Sequence, residues 1–296
     1  MLADTRLPDF TPHPQTTQTQ LPCALRWRQG RLWVRAVVRG QDMPLPALAS
    51  PDWFQACLGK SKATAVCIDP SLGTEVISLW AQACLEANKP LYLRIPAIPH
   101  RPSSKKPVAW TFKCICDRAV AATLLALLTP LVLLIGGAIK LQDGGPVFAT
   151  QWRVGERGRL FRVFKFRTAV VDERRYDPNA GIQPPQFVSP LTRVGQWLKA
   201  SHLDKLPLFL NVLRGEMSLV GPHAWAIYET LLLPSTLRGR LHTLPGLTGT
   251  LQTFAYFPLA NPKLRALALD DLQDLNQWSL WKDVKRLANA AVQVLG

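Results

Sequence analysis

Apolar and polar positions fall into blocks of different period along this chain. Met1 to Leu21 is polar, rich in Pro, Thr and Gln, and has no apolar core. It predicts a disordered tail and offers no signal-peptide pattern. Arg31 to Val38 reads as a strand, and Ala63 to Asp69 as a shorter, more buried one. From Gly73 to Asn88 the residues Val76, Leu79, Trp80, Ala83 and Cys84 recur at helical spacing. Pro90 follows that helix, and Leu91 to Ile95 forms a third strand. Strand, helix and strand at this spacing predict a βαβ unit with a parallel pair. The turn Pro70-Ser-Leu-Gly73 lacks the glycine pattern of a dinucleotide loop. Residues 22–98 are therefore expected to form a small α/β accessory domain. Residues 99–109, with Pro102-Ser-Ser-Lys-Lys-Pro107, have the composition of a linker.

The one long apolar run extends from Ala119 to Ile139. It is long enough for a bilayer at about 1.5 Å per residue. Thr129-Pro130 lies mid-run, where proline removes a backbone hydrogen bond and kinks a helix. Basic residues flank both ends, Lys113 and Arg118 before and Lys140 after, so charge gives no orientation. The run is compatible with a helix that enters and returns on one face, with a straight span, or with a buried helix.

Beyond it, Gly144-Gly-Pro-Val-Phe148 turns into a strand, Arg153 to Gly158 is a glycine-flanked turn, and Leu160 to Arg167 is a second strand. Alternation puts Lys165 and Arg167 on one face, suited either to a pyrophosphate or to a solvated edge. In Ser201-His-Leu-Asp-Lys-Leu-Pro207, a helix starting near Asp204 would place Pro207 in its first turn and Asp204 at the positive end of the dipole. Asp204 then reads as a reacting carboxylate or as an N-cap. Gly215 to Pro222 brackets a short strand with glycines, and Leu244 to Gly249 is another glycine turn. The C-terminal stretch predicts an amphipathic helix. Trp281, Val284, Ala288, Ala291 and Val292 lie on one side of it, and Lys282, Lys285 and Arg286 on the other. The pair Asp172-Glu173 reads as a surface turn.

Charge narrows the choice of partners. The net charge of +15 suits nucleic acid, anionic lipid or phosphorylated substrates. No nucleic-acid motif accompanies it, and the apolar run argues for lipid. The six cysteines, Cys23, Cys57, Cys67, Cys84, Cys114 and Cys116, match no zinc spacing and imply a reducing compartment. Cys67 and Cys84, inside apolar runs, are expected to be buried thiols.

These segments, in order, resemble the bacterial sugar transferases, the monotopic phosphoglycosyl transferases. The resemblance rests on Lys113-x-x-x-Asp117, Thr129-Pro130, Gly145-Pro-Val-Phe148, Gln151-x-Arg-Val-Gly155 and Phe164-Lys-Phe-Arg-Thr168. It continues through Leu203-Asp204, the run from Asn211 to Pro222, Pro245-Gly-Leu-Thr-Gly249 and Trp278-Ser-Leu-Trp-x-Asp283. It implies an α+β monotopic membrane domain over residues 110–296, on the cytoplasmic face of the inner (plasma) membrane, with a re-entrant helix hairpin at 113–141 broken at Thr129 and Pro130. It also implies transfer of a sugar phosphate from a nucleoside diphosphate sugar to polyprenyl phosphate, initiating lipid-linked glycan or exopolysaccharide synthesis. Asp204 matches the nucleophile and would contact Mg²⁺. The substrate-binding positions it implies are Arg153, Lys165, Arg167, Arg193, His223, Thr248 and Gln252. A homo-oligomer is a further expectation.

The chain departs from the pattern at Lys205, where the family has the dyad glutamate, so Asp204 and Lys205 form the catalytic pair here. His223 replaces an arginine, Leu244 a basic residue and Ala169 a methionine. Lys205 should repel Mg²⁺ and keep Asp204 ionised, and it could hold a donor phosphate. These departures leave a second reading open, a membrane-bound family member without catalysis that serves as a partner or regulator of glycan assembly.

Overall fold

The computed structural model describes residues 23–37, 51–95, 107–170, 182, 190–232, 241–248 and 278–295. The tail, most of the expected linker and the pair Asp172-Glu173 lie outside the described residues.

The N-terminal unit is a four-stranded sheet in the order β1-β2-β3-β4. It comprises β1 (Cys23–Arg28), β2 (Arg31–Ala36), β3 (Ala65–Ile68) and β4 (Leu91–Leu93). β1 and β2 form an antiparallel hairpin, while β2, β3 and β4 run parallel. Gln29 and Gly30 take the positive φ of a two-residue hairpin turn, 51° and 73°. Helices α1 (Pro51–Lys60) and α2 (Gly73–Glu86) precede β3 and β4. The parallel pair expected from the βαβ pattern is present as β3 and β4. Strand β1 and helix α1 were not legible as elements. Cys67 and Cys84 are buried thiols, as expected, and Cys23 is a third. Trp80, fully buried, meets Phe54 edge to face at 4.5 Å and centres the core.

That core does not stop at the unit's edge. Trp152, Val154 and Leu160 join the same cluster as Val34, Ile68 and Leu93. Tyr92 forms an isolated bridge with Arg159. A Cβ on Gly158, at φ +78°, would stand 2.2 Å from the Leu93 carbonyl oxygen, so this turn docks flush on β4.

The second body begins with α3 (Pro107–Asp143), a single 37-residue helix with Pro130 inside it. The last three residues of the expected linker, 107–109, belong to this helix, which starts at Pro107, a residue suited to a first turn. The expected hairpin is thus one continuous helical element. Thr129 donates its hydroxyl to the Leu125 carbonyl at 2.7 Å, one turn back and next to the Ala126 carbonyl, which Pro130 cannot bond. Only the two ends of α3 are covered. Lys113, Asp117 and Ala121, spaced by four, are buried near one end, and Ile135 and Ile139 near the other. Leu127, Leu133 and Leu134 between them are 69–73% exposed.

Strands β5 (Phe148–Val154) and β6 (Leu160–Phe166) form an antiparallel hairpin. Helices α4 (Arg193–Ala200) and α5 (Leu208–Leu213) follow. Next come β7 (Ser218–Val220), α6 (Ile227–Leu232) and β8 (Gly246–Thr248), with β7 and β8 paired in parallel. The stretch at 244–249, expected as a glycine turn, is thus partly a strand. Gly221 and Gly246 cross so closely that a Cβ on Gly246 would lie 2.1 Å from the Gly221 nitrogen. Helix α7 (Leu280–Leu295) closes the described chain. On its expected apolar side, Trp281 is 75% exposed and Val284 53%, while Asp283 turns inward.

Asp283 turns inward to reach Lys113. The Lys113 ammonium, 3% exposed, lies 2.9 Å from Asp117, 3.1 Å from Asp283 and 2.7 Å from the Ser218 hydroxyl. Ser218 donates to Asp117 at 2.5 Å, and the Trp278 indole donates to Asp283 at 2.9 Å. Replacing Lys113 with Met leaves two buried carboxylates without their cation. The expected cost is about 3–5 kcal/mol, read as a large drop in thermal midpoint in detergent. A change below about 0.5 kcal/mol, typical of a surface substitution, would refute the anchoring role.

Candidate active site around Asp204

The position of Asp204 follows from two clamps on β6. Asn211 of α5, fully buried, accepts from the Phe164 amide at 3.1 Å and donates to the Arg162 carbonyl at 2.7 Å. Its amide also donates to Glu216 at 2.7 Å. On the other side, Thr192 caps α4 by accepting from the Gly195 amide at 2.8 Å, and its own amide donates to the Thr168 carbonyl at 3.0 Å. A Cβ on Gly195 would meet that carbonyl oxygen at 1.9 Å, so only glycine allows α4 this approach. With α5 fixed to β6 and α4 to Thr168 two residues past its end, the short connection between them must cross the strand next to Lys165.

The connection is built as a sharp turn. Ser201 ends α4 by donating its hydroxyl to the Trp197 carbonyl at 2.9 Å. His202 takes the left-handed conformation at φ 57°. A single 3-10 turn, Leu203–Lys205, then carries Asp204 and Lys205. Pro207 is the N-cap residue of α5. The helix therefore begins at Leu208 and not near Asp204. Proline's missing N–H is tolerated just at that start, which pushes Asp204 into the preceding turn. Asp204 is neither the N-cap nor the first residue of the helix.

Four charged groups act on Lys165, which is half-buried. Loss of solvent is the main cause that pushes its ammonium pKa down to about 8, and Arg153, Lys205 and Lys199 add to it. Asp204 opposes them. Among the described residues, Asp204, Lys165, Lys199 and Lys205 make no hydrogen bond or ion pair that holds their charged ends. Three ammonium groups and one carboxylate thus share a site with free valences. Lys199 escaped the sequence reading. Its signal was its place in the last turn of α4, five residues before Asp204.

The other expected substrate residues are distributed differently. Arg153 borders Lys165 but is held by Gln151 at 3.0 Å and Glu229 at 3.6 Å. Arg167 lies one residue past β6, is 7% exposed and pairs with Asp143 at the end of α3. Its Nε and Nη1 remain buried without partners. Arg193 is exposed at the start of α4. The His223 ring meets Trp225 edge-on at 6.3 Å. Thr248 donates its hydroxyl to the Leu219 carbonyl at 2.8 Å and so secures the β7–β8 pair. Leu244 is buried. Gln252 lies outside the described residues.

A resident Mg²⁺ asks for several oxygen ligands, usually one or two carboxylates with waters and substrate oxygens. The described residues hold no group of three or more His, Cys, Asp or Glu side chains. Asp204 is the one carboxylate acting on Lys165, and three lysines surround it. This donor set does not fit a divalent cation.

Comparison with known proteins agrees with the order of motifs. The bacterial sugar transferase family model matches residues 108–296. The UDP-glucose:undecaprenyl-phosphate glucose-1-phosphate transferase of Xanthomonas campestris pv. campestris is 37% identical over 193 residues, which cover 62% of this chain and 39% of that protein. The exopolysaccharide production protein ExoY of Rhizobium meliloti is 34% identical over 199 residues, covering 63% of this chain and 87% of that protein. The chain spans about two fifths of the length of several curated relatives it matches, including the Xanthomonas transferase and an undecaprenyl-phosphate glucose phosphotransferase of Komagataeibacter xylinus. With its matched region covering well over half of the sequence, this chain belongs to the bacterial sugar transferase family.

Proposed function

We propose that the chain transfers a sugar phosphate from a nucleoside diphosphate sugar to polyprenyl phosphate at a membrane, as an initiating step of lipid-linked glycan or exopolysaccharide synthesis. The observation that carries this reading is the Asp204 carboxylate, which has no hydrogen-bond or ion-pair partner among the described residues and lies beside Lys165 and Lys205 in a turn held over β6. UDP-glucose and undecaprenyl phosphate are the first substrates to try, since the printed names of the relatives carry them.

The geometry suits a two-step displacement. An Asp204 oxygen bonds to the phosphorus that bears the sugar, and the bond from that phosphorus to the nucleoside monophosphate breaks. The nucleotide leaves with the electron pair. A phosphate oxygen of the lipid then attacks the acyl phosphate and frees the carboxylate. Lys165 and Lys205 stabilise charge on the phosphoryl oxygens in both steps.

The membrane reading rests on α3. A straight helix from Lys113 to Asp143 would run about 45 Å at 1.5 Å per residue. Yet Lys113 is fixed to β7 and Asp143 to Arg167 at the end of β6, within one body. Ala121 packs with Val163 and Val212, and Ile135 with Phe166 and Leu198. Two anchored ends with an exposed apolar middle and Pro130 near its centre support a re-entrant helix, and the family resemblance implies the cytoplasmic face. Trp281 and Val284, exposed on α7, would lie in the headgroup region.

Three results would test these statements. Asp204→Asn should abolish nucleoside monophosphate release by the detergent-solubilised chain, a loss of about 10³-fold or more. No release from the native chain, with release gained in Lys205→Glu, would favour the non-catalytic reading that Lys205 motivates. Single cysteines placed at Val108 and Leu141 in a cysteine-free background should both be labelled from the same side of sealed vesicles. Labelling from opposite sides would establish a span. Lys165 carries its charge below about pH 8 and loses it above. The kcat/KM for donor should therefore fall about tenfold as pH rises through that range, by loss of one charged hydrogen bond. Lys165→Arg should hold the plateau to higher pH.

A further inference from the structure

We propose that this site binds the diphosphate of its donor with lysine ammonium groups in the place of a divalent cation. The inference rests on the transferase reading above and names how its substrate is held. Sequence and fold both point to it. Lys205 sits where the family pattern has an acidic partner for Asp204, so the substitution changes an anion into a cation at the reacting turn. The clamps of β6 to α4 and α5 bring Lys165 to that turn, and α4 delivers Lys199 from its last turn.

The charges of these groups are unspent. Lys165, Lys199 and Lys205 make no hydrogen bond or ion pair among the described residues, and Asp204 is the single carboxylate acting on Lys165. Arg153, the fourth cation that borders Lys165, is held by Glu229 and is therefore not part of the free set. A doubly charged diphosphate entering here meets three point charges with rotatable donors, enough for its bridging and terminal oxygens. A divalent cation approaching the same place meets like charge and one carboxylate.

The backbone that carries Lys165 and Lys205 is also held in advance. Lys165 is on a strand locked by Asn211, and Lys205 is in a turn bounded by the left-handed His202 and by Pro207. Such groups do the work of a metal on a transferring phosphoryl group without reorganising when charge develops.

The test is calorimetric binding of UDP to the detergent-solubilised full chain, once with EDTA and once with Mg²⁺. The native chain should bind in both, with dissociation constants within about twofold, a difference near 0.4 kcal/mol. Lys165→Met and Lys205→Met should each weaken binding in EDTA about tenfold, as expected for one charge-assisted hydrogen bond. Lys205→Glu should bind only when Mg²⁺ is present. Binding by the native chain that appears with Mg²⁺ and vanishes with EDTA overturns this inference and leaves the transferase reading standing. Unchanged affinity in both methionine variants overturns it as well. Absence of UDP binding in both conditions overturns both.

Discussion

Burial of the Lys113 ammonium is the interaction on which the second body depends. One cation, almost wholly removed from water, is compensated by Asp117 on its own helix, Ser218 on β7 and Asp283 on α7. An isolated buried charge would be prohibitive, so these three elements hold together or come apart together. Trp110 and Trp278, edge to face at 5.2 Å, close the same corner with apolar surface. Through it the apolar helix is joined to the strand pair that supports the glycine crossing at Gly221 and Gly246.

The same constraint shapes the membrane element. With its first turns tied down by Lys113 and its last residue paired to Arg167, α3 is held at both ends while the leucines of its middle stay exposed. An exposed run of leucines costs free energy in water and gains it in lipid. The helix is therefore balanced between a polar network at each end and an apolar surround between. Helix α7, anchored through Asp283, presents Trp281 outward by the same logic, since its inward face is taken by the carboxylate.

The turn that carries Asp204 and Lys205 is positioned by contacts of the segments around it and not by its own side chains. Asp204 and Lys205 are held by what surrounds them: Asn211 on β6, Gly195 against Thr168, and Pro207 at the start of α5. Among the described residues their charged ends make no hydrogen bond or ion pair, which is the premise of the proposed binding of a phosphorylated donor. The N-terminal sheet contributes at a distance. Its core runs on into Trp152 and Leu160, and Gly158 seats against Leu93, so the β5–β6 hairpin that carries Lys165 is braced from behind.

The elements that were legible from the chain alone are those with a local cause. Alternation, helical spacing and glycine turns located β2, β3, α2, β4, the β5–β6 hairpin, β7 and the apolar run of α3, whose helix extends beyond that run to Pro107 and Asp143. Motif order located Asp204 and the chemistry to expect of it. Strand β1 and helix α1 were missed because their packing against the sheet, not a clean period, makes them regular. The helix at Asp204 was placed too early, because Pro207 suits a first turn and equally well the residue before it. Arg167 and Lys165, two apart on a strand, look alike in sequence. Only folding gives Arg167 to Asp143 and Lys165 to Asp204, since partners over twenty residues away decide which charge stays free. Residue type and spacing thus determined most of the elements and the family, and pointed to Asp204 as the candidate nucleophile. Which cations stay unpaired beside it, and which ends of the apolar helix stay buried, was decided by contacts between segments that no local pattern encodes.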